Sequence, residues 1–252
     1  MVRILMNGCC GYMGRVIANM CKNDPDAEIT CGVDISDNTA GLDFPVFSDA
    51  NKVDVDFDVI IDFSHFSCIP GIIEFAVNRN KPIVCCTTGL TEDHLKLIDE
   101  ASKKIAIFKS ANMSLGMNIM VALCRKVTKL LYPGYDIEIV EAHHNRKLDA
   151  PSGTALMIAD AIKDSIDGEV TYVYDRQSVK KKRETTEIGI SSIRGGNIVG
   201  EHEAMFIGNE EILKISHSAQ TRDVFARGAI AASKYLIGKG CGLYDMTDMI
   251  EL

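Results

Sequence analysis

The chain has 252 residues, 46% of them hydrophobic and 25% charged, which suits one large domain or two modest ones around a buried core and excludes a disordered chain. A net charge of −8 excludes a general nucleic-acid surface, which needs a basic excess against phosphates, but leaves room for a local basic pocket that takes an acidic metabolite. The nine cysteines are odd in number, form no CxxC pair and sit mostly in apolar runs, so they read as free thiols of a cytoplasmic protein, and no apolar run of about 18 residues offers a membrane span.

In chain order, residues 2–6 form an apolar run that ends at Gly8, as a buried parallel strand does. Met13, Ile17 and Met20 give residues 12–22 a helical period. Strands follow at 28–33 and 58–61, a helix at 68–78, a strand at 82–86, a helix at 91–103 capped by Thr91, and a strand at 105–109. Such β-α alternation implies a parallel sheet covered on both faces. The second half changes character. A long helix is expected at 114–131, a strand at 135–142 and a helix at 152–165. Strands then come at 170–174, 187–193, 198–207 and 211–216, with turns at Gly195-Gly196 and Gly208-Asn209, before a last helix at 223–236. The basic patch Lys180-Lys181-Lys182-Arg183 reads either as a solvated loop or as a mobile loop near an anionic substrate.

Gly8-Cys9-Cys10-Gly11-Tyr12-Met13-Gly14 joins the first strand to the first helix, where a dinucleotide phosphate loop belongs. Small residues let the backbone approach a pyrophosphate, and the helix N-terminus supplies amides and partial positive charge. The spacing is G-x-x-G-x-x-G, with Cys10 where the common motif has its middle glycine. Asp34 ends the second strand, where a carboxylate accepts from a ribose 2′-hydroxyl and repels a 2′-phosphate. Ile35 and Ser36 follow instead of an arginine, so NADH is favoured, with NADPH as the alternative. Three more strand ends border the same crevice: Asp62-Phe63-Ser64, Thr87-Thr88-Gly89 and Ser110-Ala111-Asn112-Met113. The expected fold is an α/β Rossmann-like parallel-sheet domain, residues 1–113 completed by 219–252, plus an α+β domain for substrate and oligomerisation, residues 114–218, with a mixed, largely antiparallel sheet.

The segment EAHHNRKLDAPSGTA, residues 141–155, leaves a strand and enters a helix with Ser152 as its cap. Gly153 and Thr154 then offer amides at a helix N-terminus, a site suited to a carboxylate. His143, His144 and Lys147 stand beside it, as an acidic substrate that must be held and protonated requires. Adjacent histidines on a strand point to opposite faces and lack a third ligand at a familiar spacing, so no metal is expected there.

This segment closely resembles the signature of the 4-hydroxy-tetrahydrodipicolinate reductase family, also called dihydrodipicolinate reductase, and the likeness extends to Ser114-Leu115-Gly116-Met117-Asn118, Arg194-Gly195-Gly196 and Gly200-Glu201-His202. The resemblance implies an NAD(P)H-dependent reduction in the diaminopimelate route to lysine, on a cyclic imine dicarboxylate, by a homotetramer. It implies that His143 and Lys147 handle protons and that His144, Gly153 and Thr154 bind substrate. It implies nucleotide contacts at Gly8, Cys9, Cys10, Gly11, Tyr12, Met13, Asp34, Cys86, Thr87, Thr88, Ser110, Ala111, Asn112 and Met113. Two other readings remain at this point: another amino-acid dehydrogenase, or a non-catalytic NAD-binding regulator, which would have no reason to keep His143 and Lys147 beside an anion-binding turn.

Overall fold

The computed structural model describes residues 1–178 and 180–250. The chain runs through β1 (Val2–Asn7), α1 (Tyr12–Cys21), β2 (Ala27–Val33), β3 (Val46–Phe47), β4 (Val59–Asp62), α2 (Ile69–Asn78), β5 (Ile83–Cys85), α3 (Glu92–Ser102) and β6 (Ala106–Lys109). It continues through α4 (Leu115–Leu131), β7 (Asp136–His143), α5 (Gly153–Lys163), β8 (Thr171–Val173), β9 (Glu187–Arg194), β10 (Gly200–Ile207) and β11 (Ile212–Ala219), and ends with α6 (Asp223–Leu236) and β12 (Gly242–Tyr244). Two compact units result: residues 1–114 with 223–250, and residues 115–222. Among the described residues, no helix is long and apolar enough to cross a membrane.

The first unit is built on a seven-stranded sheet of order β12-β6-β5-β4-β1-β2-β3, parallel at every pairing. Side chains alternate across it. Ile4, Met6, Val59 and Ile61 enter one core with Ile17 of α1 and Ala229 and Leu236 of α6. Leu5, Ile60 and Ile83 enter the other with Ile72 and Ile73 of α2 and Ile98 of α3. A sheet buried on both faces needs apolar residues of both parities, which is why these strands read as continuous apolar runs. Chain order reverses between β1 and β4, so the loops at their carboxyl ends part and leave a crevice. The sequence does not reveal β3 and β12, because two and three residues carry no period.

The second unit holds a five-stranded sheet of order β11-β10-β7-β9-β8. It is mixed as expected, with antiparallel pairing at β7–β10 and β10–β11 and parallel pairing at β7–β9 and β8–β9. Ile137, Ile139, Ile188, Ile190, Ala204 and Phe206 share the face packed by α4 and α5. The basic patch is tied down at Arg183, which donates to the Asp136 carboxylate at 2.6 Å, to that of Glu138 at 3.2 Å and to the carbonyl of Ile137 at 2.9 Å.

Candidate active site

In the first unit the loop after β1 is shaped by its glycines. Gly8 has φ +82°, and a Cβ there would lie 2.6 Å from the carbonyl oxygen of Phe63. A Cβ on Gly14 would lie 2.3 Å from the Gly8 oxygen, so the first turn of α1 closes onto the loop only with glycine there. The Asp34 carboxylate accepts from the Cys10 amide at 2.8 Å and the Ser36 amide at 2.9 Å, which turns it toward the loop. Gly8, Cys10, Gly11, Asp34, Phe63 and Ser64 help line a cavity of about 530 Å³. Gly11, which lines it, and Tyr12 are exposed, Met13 is half-buried, and Cys9 turns its side chain wholly into the core.

The other strand ends are fastened by Asp62. This fully buried carboxylate accepts from Asn7 at 2.7 Å, the Ser64 hydroxyl at 2.6 Å and the Thr87 hydroxyl at 2.7 Å, and so locks β1, β4 and β5 together. Thr87 is thereby spent on structure, while Thr88 is exposed and Cys86 half-buried. Ser110 donates to the carbonyl of Asn112 at 3.1 Å, the Asn112 side chain accepts from the Ser114 amide at 2.8 Å, Ala111 is exposed and Met113 is buried. Arg15 donates to the carbonyls of Cys10, Asn38 and Ala40, tying α1 to the loop beyond Asp34. The glycine cradle, the inward carboxylate and the open crevice fit a dinucleotide.

In the second unit, Ile137, Ile139, Glu141 and His143 share one parity of β7, so the strand carries its helix-packed face into a charged end. Glu141 has no exposed surface. Arg194 grips it with Nη1 at 2.9 Å and Nη2 at 2.7 Å, the Ser152 amide donates at 3.2 Å, and Nδ1 of His143 lies 2.6 Å away. Burial alone would raise the carboxyl, but the bonds from Arg194, Ser192 and His143 outweigh it and hold Glu141 down at about 2. An ionised Glu141 can only accept, so Nδ1 of His143 carries the hydrogen and Nε2 is left to exchange a proton. A Cβ on Gly200 would sit 3.2 Å from that Nε2, so glycine keeps the neighbouring strand clear of it.

Ser152 caps α5 by accepting from the Ala155 amide at 3.1 Å, and its hydroxyl pairs with Nε2 of His202 at 3.2 Å. Burial first, then the nearby His143, hold His202 down at about 4, so it is neutral. Gly153 and Thr154 open the helix, and a Cβ on Gly153 would meet open space. Lys147 reaches Asp149 at 2.9 Å. Nδ1 of His144 is buried without a hydrogen-bond partner, and burial with the adjacent cations lowers its pKa. Motif reading left Glu141, Arg194 and His202 without roles. The signal available was polar residues on the buried parity of a strand. Sequence reading expected no metal at the histidine pair; among the described residues, ligand-type atoms gather instead at Cys9, Cys10 and Asp34.

A parallel nucleotide-type sheet joined to a mixed-sheet unit that carries a buried acid–base set defines a class, the two-unit dinucleotide-dependent oxidoreductases. Within it, the chain belongs to the dihydrodipicolinate reductase family: the family models for the N-terminus and C-terminus match residues 2–113 and 116–250. It is 51% identical to the 4-hydroxy-tetrahydrodipicolinate reductase of Caldanaerobacter subterraneus subsp. tengcongensis, covering 100% of this chain and 99% of the relative. It is 48% identical to that of Clostridium tetani, covering 100% and 98%. The fold matches dipicolinate-bound dihydrodipicolinate reductase from Paenisporosarcina sp. TG-14 with a TM-score of 0.79 at 22% identity, over 100% of both chains. A myo-inositol dehydrogenase from Corynebacterium glutamicum shares the architecture with a TM-score of 0.60 at 15% identity, over 96% of this chain and 90% of the other.

Proposed function

We propose that the chain reduces 4-hydroxy-tetrahydrodipicolinate to tetrahydrodipicolinate with NAD(P)H, in the diaminopimelate route to lysine. The observation that carries this reading is the buried Glu141–His143–Arg194 set at the end of β7, with Nε2 of His143 kept clear by Gly200 beside the start of α5. Family membership supplies the substrate.

The dinucleotide, when bound, supplies a hydride. Gly8–Gly14 and Asp34 hold its pyrophosphate and ribose, and Cys86, Thr87, Thr88 and residues 110–113, which follow the parallel strands β5 and β6, contact the rest of it. Asp34 favours NADH, and Arg15 is engaged by three carbonyls. On the substrate side, the Gly153 and Thr154 amides take a carboxylate at the positive end of α5. Lys147 exchanges its exposed partner Asp149 for substrate, a surface pair worth at most about 1 kcal/mol. His144, half-exposed beside Lys147 in sequence, adds a polar contact. As the imidazolium, whose Nδ1–H donates to the ionised Glu141, His143 gives its Nε2 proton to the substrate atom that needs one after hydride addition, and it regains a proton from solvent. The assembly is a homotetramer that buries the face of the five-stranded sheet turned away from α4 and α5, where Ile193 and Ile212 are exposed. Light scattering should return four chains.

The test couples the purified chain to the preceding synthase and follows nicotinamide absorbance with NADH and NADPH in parallel. Oxidation that depends on the cyclic substrate, with the higher kcat/KM for NADH, is expected. Turnover of a free amino acid without turnover of the cyclic imine would overturn the assignment.

A further inference from the structure

Two cysteines sit side by side in the glycine loop, and the sulfurs face one another. The Cys9 and Cys10 Sγ atoms are 3.9 Å apart. Two thiolates on one tetrahedral zinc ion, each at about 2.3 Å, stand about 3.8 Å apart. The pair is therefore already spaced for a shared ion. A ligand atom of Asp34 lies with both sulfurs inside a group whose members are all within 4.8 Å of one another. The local fold builds this arrangement. The Cys10 amide holds Asp34 against the loop at 2.8 Å. Gly32 of β2 leaves the space that the Cys9 sulfur fills, since a Cβ there would approach it to 2.6 Å. The loop opens α1, whose positive N-terminal end favours anionic sulfur.

We propose that Cys9, Cys10 and Asp34 form a site for a thiophilic divalent cation such as zinc, and that its occupation excludes the dinucleotide. Cys10 and Asp34 line the cavity, so the ion arrives from that side, while Cys9 closes it from the core. Both thiols give their protons to solvent as two metal–sulfur bonds form, so affinity rises with pH. Two soft sulfurs and one carboxylate select zinc or cadmium over magnesium or calcium. The fourth position faces the cavity. An ion here takes the Asp34 oxygens needed by a ribose and blocks the loop needed by a pyrophosphate. This exclusion rests on the cofactor reading given above; the metal site does not.

The experiment titrates the reduced, metal-free full chain with cadmium and follows the thiolate-to-cadmium charge-transfer absorption. One equivalent should saturate a two-thiolate band. Cys10→Ala should lose that band, and Cys241→Ser, which removes an exposed thiol elsewhere, should keep it. A band that survives Cys10→Ala, or that vanishes with Cys241→Ser, overturns the site. NADH fluorescence is then titrated with and without bound cadmium. Loss of NADH binding in the loaded protein supports exclusion, and equal binding in both states overturns it. Failure of the metal-free chain to bind NADH would instead overturn the cofactor reading, while the cadmium band would stand or fall on its own.

Discussion

Burying a carboxylate such as Glu141 costs several kcal/mol of solvation unless other donors replace the water. Arg194, the Ser152 amide and His143 do replace it, and each gains a fixed place by doing so. Glu141→Gln removes the ionised partner of Arg194 and should lower stability by about 1–3 kcal/mol in urea unfolding. It should also displace the acid limb of the kcat–pH profile while leaving NADH affinity unchanged, a change that a purely structural carboxylate would not produce. His143→Ala and Lys147→Ala should each cut kcat by about 10²–10⁴-fold, the usual worth of a positioned acid. Equal losses of NADH affinity would remove both residues from the substrate side. His143 and Lys147 could be singled out from the sequence because their types sit beside a helix start. Arg194 could not, because it meets Glu141 only through the β7–β9 pairing, across 53 residues of chain.

At the scale of elements, the proposed ligand sites lie at two helix N-termini. The start of α5 depends on Ser152, which caps the helix and also engages His202. Ser152→Ala should cost about 1 kcal/mol of stability. It should raise the KM for the cyclic substrate more than it lowers kcat, as steady-state kinetics would show. The start of α1 depends on Gly14. Gly14→Ala forces a Cβ against the Gly8 carbonyl and should cost about 1–3 kcal/mol in thermal unfolding and abolish the NADH fluorescence signal. The long elements were legible because their patterns are extended: the apolar run of β1, the alternation of β7 and the helical stripe of α4. The edge strands β3 and β12 were not, since their register is imposed by β2 and β6. Pairing direction in the second sheet was only partly legible. The Gly208-Asn209 turn announces an antiparallel hairpin, but nothing local says that β9 lies parallel to β7.

For the whole molecule, two buried groups set an acid boundary. His202 titrates near 6.5 when unfolded and at about 4 when folded, so the unfolded chain binds its proton first. Its contribution is complete above pH 6.5 and drains away as pH falls toward 4, with a slope of at most about 1.4 kcal/mol per pH unit. Glu141, depressed from 4.5 to about 2, adds a second loss between those values. Chemical unfolding from pH 8 to pH 3 should therefore show stability falling in two overlapping stages, and His202→Gln should flatten the upper one. In the proposed function the first unit holds the dinucleotide and residues 141–155 hold the dicarboxylate. The most direct measurement supplies NADH deuterated at the transferring position together with the cyclic substrate and examines the product by mass spectrometry and NMR. One deuterium at ring carbon 4 is the predicted result. Product formed without the label, or an unchanged substrate in the presence of bound NADH, would contradict the account.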